Sequence, residues 1–253
     1  VLRVRIIPSL LLSSEGLVKT TKFSKPKYIG DPINAIKIFN EKEVDELILL
    51  DIDSTRLNKK PNFKLIEEVA GECFMPLSYG GGINTLEDIK TILSIGVEKV
   101  IINTAAINNP SFVQSAVKTF GGSTIVISID YKNNFLKKSS IYTKNGSFRQ
   151  NIDPLFFAKK MQELGVGEIM FNSIEKDGTM SGFDTNFIKN AVDSLNLPVI
   201  ACGGAGSLKH LKELIKDTSI SAIAAGSLFV YYGPNKGILI NYPSYKSLAK
   251  ILN

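Results

Sequence analysis

Along the chain, short apolar runs rich in Val, Ile and Leu alternate with stretches in which apolar residues recur at helical spacing. That alternation predicts βα units around a parallel sheet. The runs place strands at Val4–Leu10, Leu47–Asp51, Pro76–Tyr79, Lys99–Ile102, Thr124–Ile129, Gly167–Asn172, Val199–Ala201 and Ala222–Ala225. The periodic stretches place helices over 32–41, 62–73, 85–94, 110–119, 153–164, 184–194, 207–216 and 243–251. Two helix starts carry local signals: Thr85-Leu-Glu-Asp88 approaches a capping box, and Asn151-Ile-Asp153-Pro154 puts proline at a first helical position. The strands are continuous apolar runs rather than alternating ones, so both faces of the sheet are expected to be buried. The irregular insertion Asn133–Arg149 is expected to form a polar hairpin or loop after strand five.

A half-chain repeat separates a barrel from an open, doubly wound sheet. Pro76-Leu-Ser-Tyr-Gly-Gly-Gly-Ile-Asn-Thr-Leu86 resembles Pro198-Val-Ile-Ala-Cys-Gly-Gly-Ala-Gly-Ser-Leu208 at an offset of 122, and the same offset carries Glu46 onto Glu168. Four βα units repeated give eight strands, and eight parallel strands close into a barrel. The expected fold is therefore an α/β (βα)8 TIM barrel. It is expected as one domain over 1–253, with half-barrels of about 1–122 and 123–253 and no linker between them.

Composition narrows the class without changing it. Of the 253 residues, 44% are hydrophobic and 21% charged, which excludes a disordered, collagenous or coiled-coil chain. No apolar run approaches the roughly 20 residues of a membrane span, and Val1–Pro8 shows no signal-peptide pattern. Cys73 and Cys202 lie far apart and suggest buried thiols in a reducing cytosol, hence a cytoplasmic protein. The 30 Lys and Arg exceed the 24 Asp and Glu, giving a net charge of +6. The lysines are scattered, with local concentrations only at Lys19–Lys27 and Lys132–Lys144, which reads as solvated surface rather than a nucleic-acid footprint. Phosphorylated small molecules are the partners this charge suits best. The single histidine, His210, rules out a His-cluster metal site and is expected at the surface of a helix. No metal and no organic cofactor is expected.

In a barrel of this kind the loops at the strand C-termini form the active face. Four pieces there have phosphate chemistry: Gly80-Gly-Gly82 after strand three, Asn103-Thr104 after strand four, Gly203-Gly204 after strand seven and Gly226-Ser227 after strand eight. Glycines let backbone N–H groups approach phosphate oxygens with no Cβ in the way. The two clusters predict two phosphate sites on opposite sides of the mouth, spanned by one molecule with a phosphate at each end. Strand-end acids are the other signal: Asp130, Asp51, Asp53 and Asp177 are either acid/base groups or loop caps. No acid follows strand one, where Leu10-Leu11-Leu12 stands, and Glu15 is the next carboxylate in that loop. At the opposite end, Arg5, Glu46, Lys99 and Glu168 each start a strand and could form a charged plug or a simple packing network.

Taken together, the chain resembles the cyclase subunit of imidazole glycerol phosphate synthase, the HisF family, essentially from end to end. The resemblance is carried by Arg5-Ile-Ile-Pro8, Leu50-Asp-Ile52, Gly80-Gly-Gly-Ile83, Asn103-Thr-Ala-Ala106, Ile129-Asp130, Asp177-Gly-Thr179, Gly182-Phe-Asp184 and Gly203-Gly-Ala-Gly206. It implies a barrel that takes ammonia from a HisH-like glutaminase docked on its N-terminal face and passes it to a bisphosphate in a lyase/cyclase reaction. By the same resemblance Gly82, Asn103 and Thr104 hold one phosphate, and Asp177, Gly178, Gly204, Gly226 and Ser227 surround the other. Arg5, Glu46, Lys99 and Glu168 match the family's ammonia gate, and Lys19 the lysine of its mobile first loop.

The departure lies in the chemistry. Where the family has paired aspartates after strands one and five, this chain keeps Asp130 but has Leu11, and leucine transfers no proton. The tail Phe229-Val-Tyr-Tyr-Gly233 with Gly237-Ile-Leu-Ile-Asn-Tyr-Pro243, and Leu50-Asp-Ile-Asp53 and Asn172-Ser-Ile174, are similar to HisF paralogues associated with acetamidino modification of bacterial surface sugars. That subgroup implies ammonia delivery toward a separate sugar amidotransferase. The alternatives are a histidine-pathway cyclase and a non-catalytic ammonia-channelling scaffold.

Overall fold

The computed structural model describes residues 3–14, 16–134 and 138–252. Glu15, the alternative acid of the first loop, lies outside the described residues, as do Val1 and Leu2 of the stretch read for a signal peptide and three positions of the Asn133–Arg149 insertion.

Eight parallel strands carry the architecture: β1 (Arg5–Ser13), β2 (Leu47–Asp51), β3 (Leu77–Gly80), β4 (Lys99–Ile102), β5 (Ile125–Asn133), β6 (Glu168–Ser173), β7 (Val199–Cys202) and β8 (Ala222–Ala225). Each pairs in parallel with the next, and β8 returns onto β1 with Ile6 opposite Ile223, so the sheet closes. Helices follow the strands on the outside, and the barrel is the expected one. Thr85 accepts from the Asp88 N–H while the Asp88 carboxylate accepts from the Thr85 N–H, completing the capping box. Asp153 caps the helix that begins at Pro154.

Side-chain alternation sorts each strand into two layers. Outward residues such as Ile6, Leu49, Tyr79, Val100 and Phe171 pack beneath the helices. Inward residues Ile7, Ile48, Ile101, Val126, Met170 and Ile200, with Ala222 and Ala224, fill the barrel's waist, none more than 3% exposed. Each large member contributes about 1.5–3 kcal/mol by leaving water. The waist separates a charged ring below from a polar mouth above.

Two strands run further than their apolar patterns indicate. β1 continues past Leu10 because Leu11–Ser13 pair with a following antiparallel strand, Gly16–Thr21, which turns back as Ser24–Gly30. β5 continues past Ile129 to pair with Ser139–Thr143. Leu11 and Asp130 are therefore held inside paired strands, and the loop expected to be mobile is a β-hairpin in which Lys19 is only 5% exposed. His210 is not a surface residue but half-buried, its Nδ1 accepting from the Gly206 N–H at 3.2 Å. The tail folds over the barrel seam: a small hairpin pairs Tyr231–Tyr232 with Gly237–Ile238, and buried Tyr242 donates its hydroxyl to the Ile6 carbonyl at 2.8 Å. Among the described residues no helix is long and apolar enough to cross a membrane.

Candidate active site

The strand ends meet in one pocket at the C-terminal mouth, with a cavity volume of about 120 Å³. Gly82, Asn103 and Thr104 line one side of it. Gly178, Gly204, Gly226 and Ser227 line the other, with Asp130, Leu11 and Lys19 between. In an eight-stranded ring β3–β4 stand opposite β7–β8, so the two glycine clusters face each other across the mouth.

Local backbone geometry explains the glycines. At φ +72° Gly82 occupies the left-handed region, and a Cβ there would stand 2.9 Å from the Lys59 carbonyl. Its N–H donates to Thr55 Oγ1 at 3.2 Å. Gly204, at φ +106°, lies so close to the Gly182 carbonyl that an added Cβ would collide with it. Ser227 Oγ is buried without a hydrogen-bond partner, and the Lys19 ammonium stands directly over Gly226. A free hydroxyl donor, an ammonium and Cβ-free backbone give the β7–β8 side a donor set chemically suited to an anion.

Asp130 is 9% exposed, and burial pushes its carboxyl up to about 7. The amides of Asn172 and Asn103 pull it down, while nearby Asp177 raises it further. Asn103 Nδ2 donates to Asp130 Oδ2 at 3.0 Å and to the Ser128 carbonyl at 3.0 Å, so this residue ties the β3–β4 seat to the acid. A carboxyl titrating near neutrality can both give and take a proton. The other acids are spent on structure. Asp51 caps its own loop by accepting from the Asp53 and Ser54 N–H groups, and Asp53 pairs with Arg56 at 2.8 Å. Asp177 faces the pocket, but its Oδ2 accepts from the Thr20 hydroxyl at 2.7 Å and the Phe23 N–H at 3.2 Å, tying the β1 hairpin down. Cys202 also lines the mouth, its thiol pushed up to about 12 by burial.

Register divides the mouth into unlike halves. Leu11 lies beside Leu50 on β1 and β2, and Asp130 lies beside Asn172 on β5 and β6. The repeat that carries Glu46 onto Glu168 carries Leu50 onto Asn172, so these two pairs occupy equivalent places in the half-barrels. One is wholly apolar and the other wholly polar. Leu11, 8% exposed, fills the place across the barrel from the carboxyl.

At the opposite end of the barrel, Arg5, Glu46, Lys99 and Glu168 form a closed ring of alternating charge. Arg5 meets Glu46 at 2.6 Å and Glu168 at 2.8 Å; Lys99 meets Glu168 at 2.9 Å and Glu46 at 3.7 Å. Ser78 Oγ adds a hydrogen bond to Glu46 at 3.1 Å. Burial alone would push Glu168 up, but its Arg5 and Lys99 partners hold it below the usual carboxylate range. The ring closes the bottom of the barrel with charged groups that satisfy one another.

The family model for histidine biosynthesis protein matches residues 5–234. A Pseudomonas aeruginosa protein named "Putative imidazole glycerol phosphate synthase subunit hisF2" is 54% identical over 97% of this chain and 98% of its own length. The chain belongs to the HisF family. A Leptospira interrogans HisF homologue bearing the same subunit description is 48% identical over 96% of each chain. A Vibrio vulnificus protein with that description and the designation hisF3 is 45% identical, over 99% of this chain and 97% of its own. Within this HisF-family barrel, Ser9, Leu50, Ser128 and Asn172 line the mouth without having been named as site residues from sequence, Leu50 and Asn172 entering there only within motifs of resemblance. Counting upward by two from the ring finds three of them: Arg5 leads to Ser9, Glu46 to Leu50 and Glu168 to Asn172.

Proposed function

We propose that this HisF-family subunit receives ammonia from a glutaminase docked beneath the charged ring. The barrel passes it to a phosphorylated acceptor at the mouth, in the service of acetamidino modification of a bacterial surface sugar by a partner sugar amidotransferase. The observation that carries this reading is the combination of a complete ring, an apolar waist and two glycine-lined seats with Leu11 where a second carboxyl is required. Delivery needs only the first three; the lyase/cyclase reaction needs the pair. In the seats, Gly82, Asn103 and Thr104 would hold one phosphate, and Gly178, Gly204, Gly226 and Ser227 the other, with Lys19 supplying charge. The sugar role draws its support from the similarity of the tail and of Asn172-Ser-Ile174 to that paralogue group.

The retained Asp130 favours a second reading, a histidine-pathway cyclase working with one acid, and the relatives' descriptions point the same way. Two measurements on the purified chain separate them. Co-purification with co-expressed glutaminases tests docking, and a stable complex is expected to bury about 1,200–2,000 Å². A steady-state assay with excess ammonia and the imidazole-pathway bisphosphate tests cyclase activity; near-background turnover is expected, and robust turnover overturns the sugar-modification reading in favour of the cyclase.

A further inference from the structure

Three buried side-chain atoms among the described residues have no hydrogen-bond partner: Tyr79 OH, Asn172 Oδ1 and Ser227 Oγ. Tyr79 points out of the barrel into the helical layer, and Ser227 belongs to the β7–β8 seat. Asn172 is different. It is 7% exposed, lines the mouth, and belongs to neither seat. Leaving a buried acceptor unmet costs about 1–3 kcal/mol, so the group calls for a ligand or a compensating role.

Its surroundings define the ligand. Along β6 the inward positions run Glu168, Met170, Asn172, from charged ring through apolar waist to mouth. Asn172 therefore stands one inward step above the waist. The register sets it beside Asp130, and its amide N–H2 is turned to that carboxyl. Against the ionised carboxyl that contact calls for the amide nitrogen, because the reverse would set oxygen against oxygen. Gly203, just after β7, leaves the oxygen open; a Cβ there would stand 3.3 Å from it. The equivalent place in the other half-barrel is Leu50, which offers no acceptor.

We infer that Asn172 Oδ1 and the Asp130 carboxyl form an acceptor pair for ammonia or the ammonium ion at the upper end of the apolar waist. Two acceptors take two N–H hydrogens and leave the third face of the nitrogen turned to the mouth between the seats. Ammonia and ammonium are small enough to share a buried niche with Asp130 and donate to both acceptors at once, with water as the competing donor. The inference deepens the delivery reading, which supplies the source of the ammonia; the niche itself does not depend on a glutaminase.

Ammonium itself is the probe, with potassium, a cation of similar size and no N–H groups, as the reference. The Asp130 carboxyl is titrated by carbon NMR in the full chain, in ammonium chloride and potassium chloride at matched concentration. A neighbouring cation favours the ionised carboxyl, so the proton affinity of Asp130 should fall about twofold or more in ammonium relative to potassium. Asn172→Leu should abolish that difference, and Asn172→Ala serves if leucine disturbs the fold. Identical titrations in the two salts overturn the inference, as does an ammonium effect that survives loss of Asn172. Asp177 and Lys19 are present in both salts and cancel. The reading beneath is tested apart from this: an intact glutaminase complex without an ammonium effect removes the acceptor pair alone, and an ammonium effect without a complex removes the delivery reading alone.

Discussion

Replacing Asp130 by asparagine tests the electrostatics of the mouth through stability alone. Burial lifts this carboxyl from 3.8 to about 7. A raised folded pKa means that the native state keeps its proton at a pH where the unfolded chain has already released it. The group's contribution to stability is thus fully present below about pH 4 and is withdrawn as the pH rises through 7. At 1.36 kcal/mol per unit the gap amounts to about 4 kcal/mol, of which about 2.5 kcal/mol falls between pH 5 and pH 8. Asp130→Asn keeps the volume and removes the titration. The new amide's hydrogen bonds to Asn103 and Asn172 do not vary with pH, and those of the original carboxyl are already contained in its raised pKa. The assay is urea unfolding followed by circular dichroism at pH 5 and pH 8, since the chain has no tryptophan to report. Relative to the unmodified protein, the variant should gain about 2.5 kcal/mol between the two pH values. An unchanged gap between the two proteins would refute the claim that burial controls this carboxyl.

Leu11→Asp should raise ammonia-dependent turnover of the imidazole-pathway bisphosphate above background, because Asp130 and both seats remain; unchanged background turnover counts against Leu11 as the missing partner. The new carboxyl, at a position only 8% exposed, should titrate above the usual carboxylate range. Arg5→Ala strands Glu46 and Glu168 in the ring; breaking a buried pair costs about 3–5 kcal/mol, and with the Arg5 side chain 28% exposed about 2–3 kcal/mol is expected in urea unfolding. Gly82→Ala forces a side chain into the left-handed region against the Lys59 carbonyl, so calorimetry should show weakened binding of inorganic phosphate and unfolding a loss of about 1–3 kcal/mol. Thr20→Val removes a hydroxyl from Asp177 and should speed proteolytic cleavage in the Gly16–Gly30 hairpin without slowing global refolding.

The barrel was legible because short continuous apolar runs and period-3.6 stretches each leave a mark on sequence, and because Gly80-Gly-Gly82 and Gly203-Gly204 repeat at one offset. The ring was legible for a related reason: Arg5, Glu46, Lys99 and Glu168 stand at the heads of otherwise apolar strands. Asn172 did not stand out as a site residue because it ends an apolar run, where a polar residue is ordinary; the count from Glu168 places it inward, and its pairing with Asp130 gives it a partner in the mouth. The extension of β1 and β5 was hidden for the opposite reason. Leu11 and Leu12 continue an apolar run without marking where barrel pairing stops and hairpin pairing begins. The burial of Lys19 depends on that hairpin, which composition presents as a lysine-rich loop. Asp177 shows the limit of reading acids by place: its position marks a mouth residue, while its bonds hold a hairpin.

The seam between β1 and β8 has a consequence for how the chain is made. Arg5–Pro8 find their partners on one edge only at Ala222–Ala225, and the Ile6 carbonyl meets Tyr242 across 236 positions of sequence. At a synthesis rate of roughly 5–20 residues per second, that edge waits on the order of 10–40 s for its complement to leave the ribosome. During that interval Ile6, Ile7 and Leu10 present an apolar strand with unpaired backbone, the kind of edge that other chains add to. The Gly16–Gly30 hairpin, made seconds after β1, covers the strand's far end at Leu11–Ser13 but leaves its near end open. Time spent nascent, more than any weakness of the finished barrel, is where this protein is most exposed to misassembly.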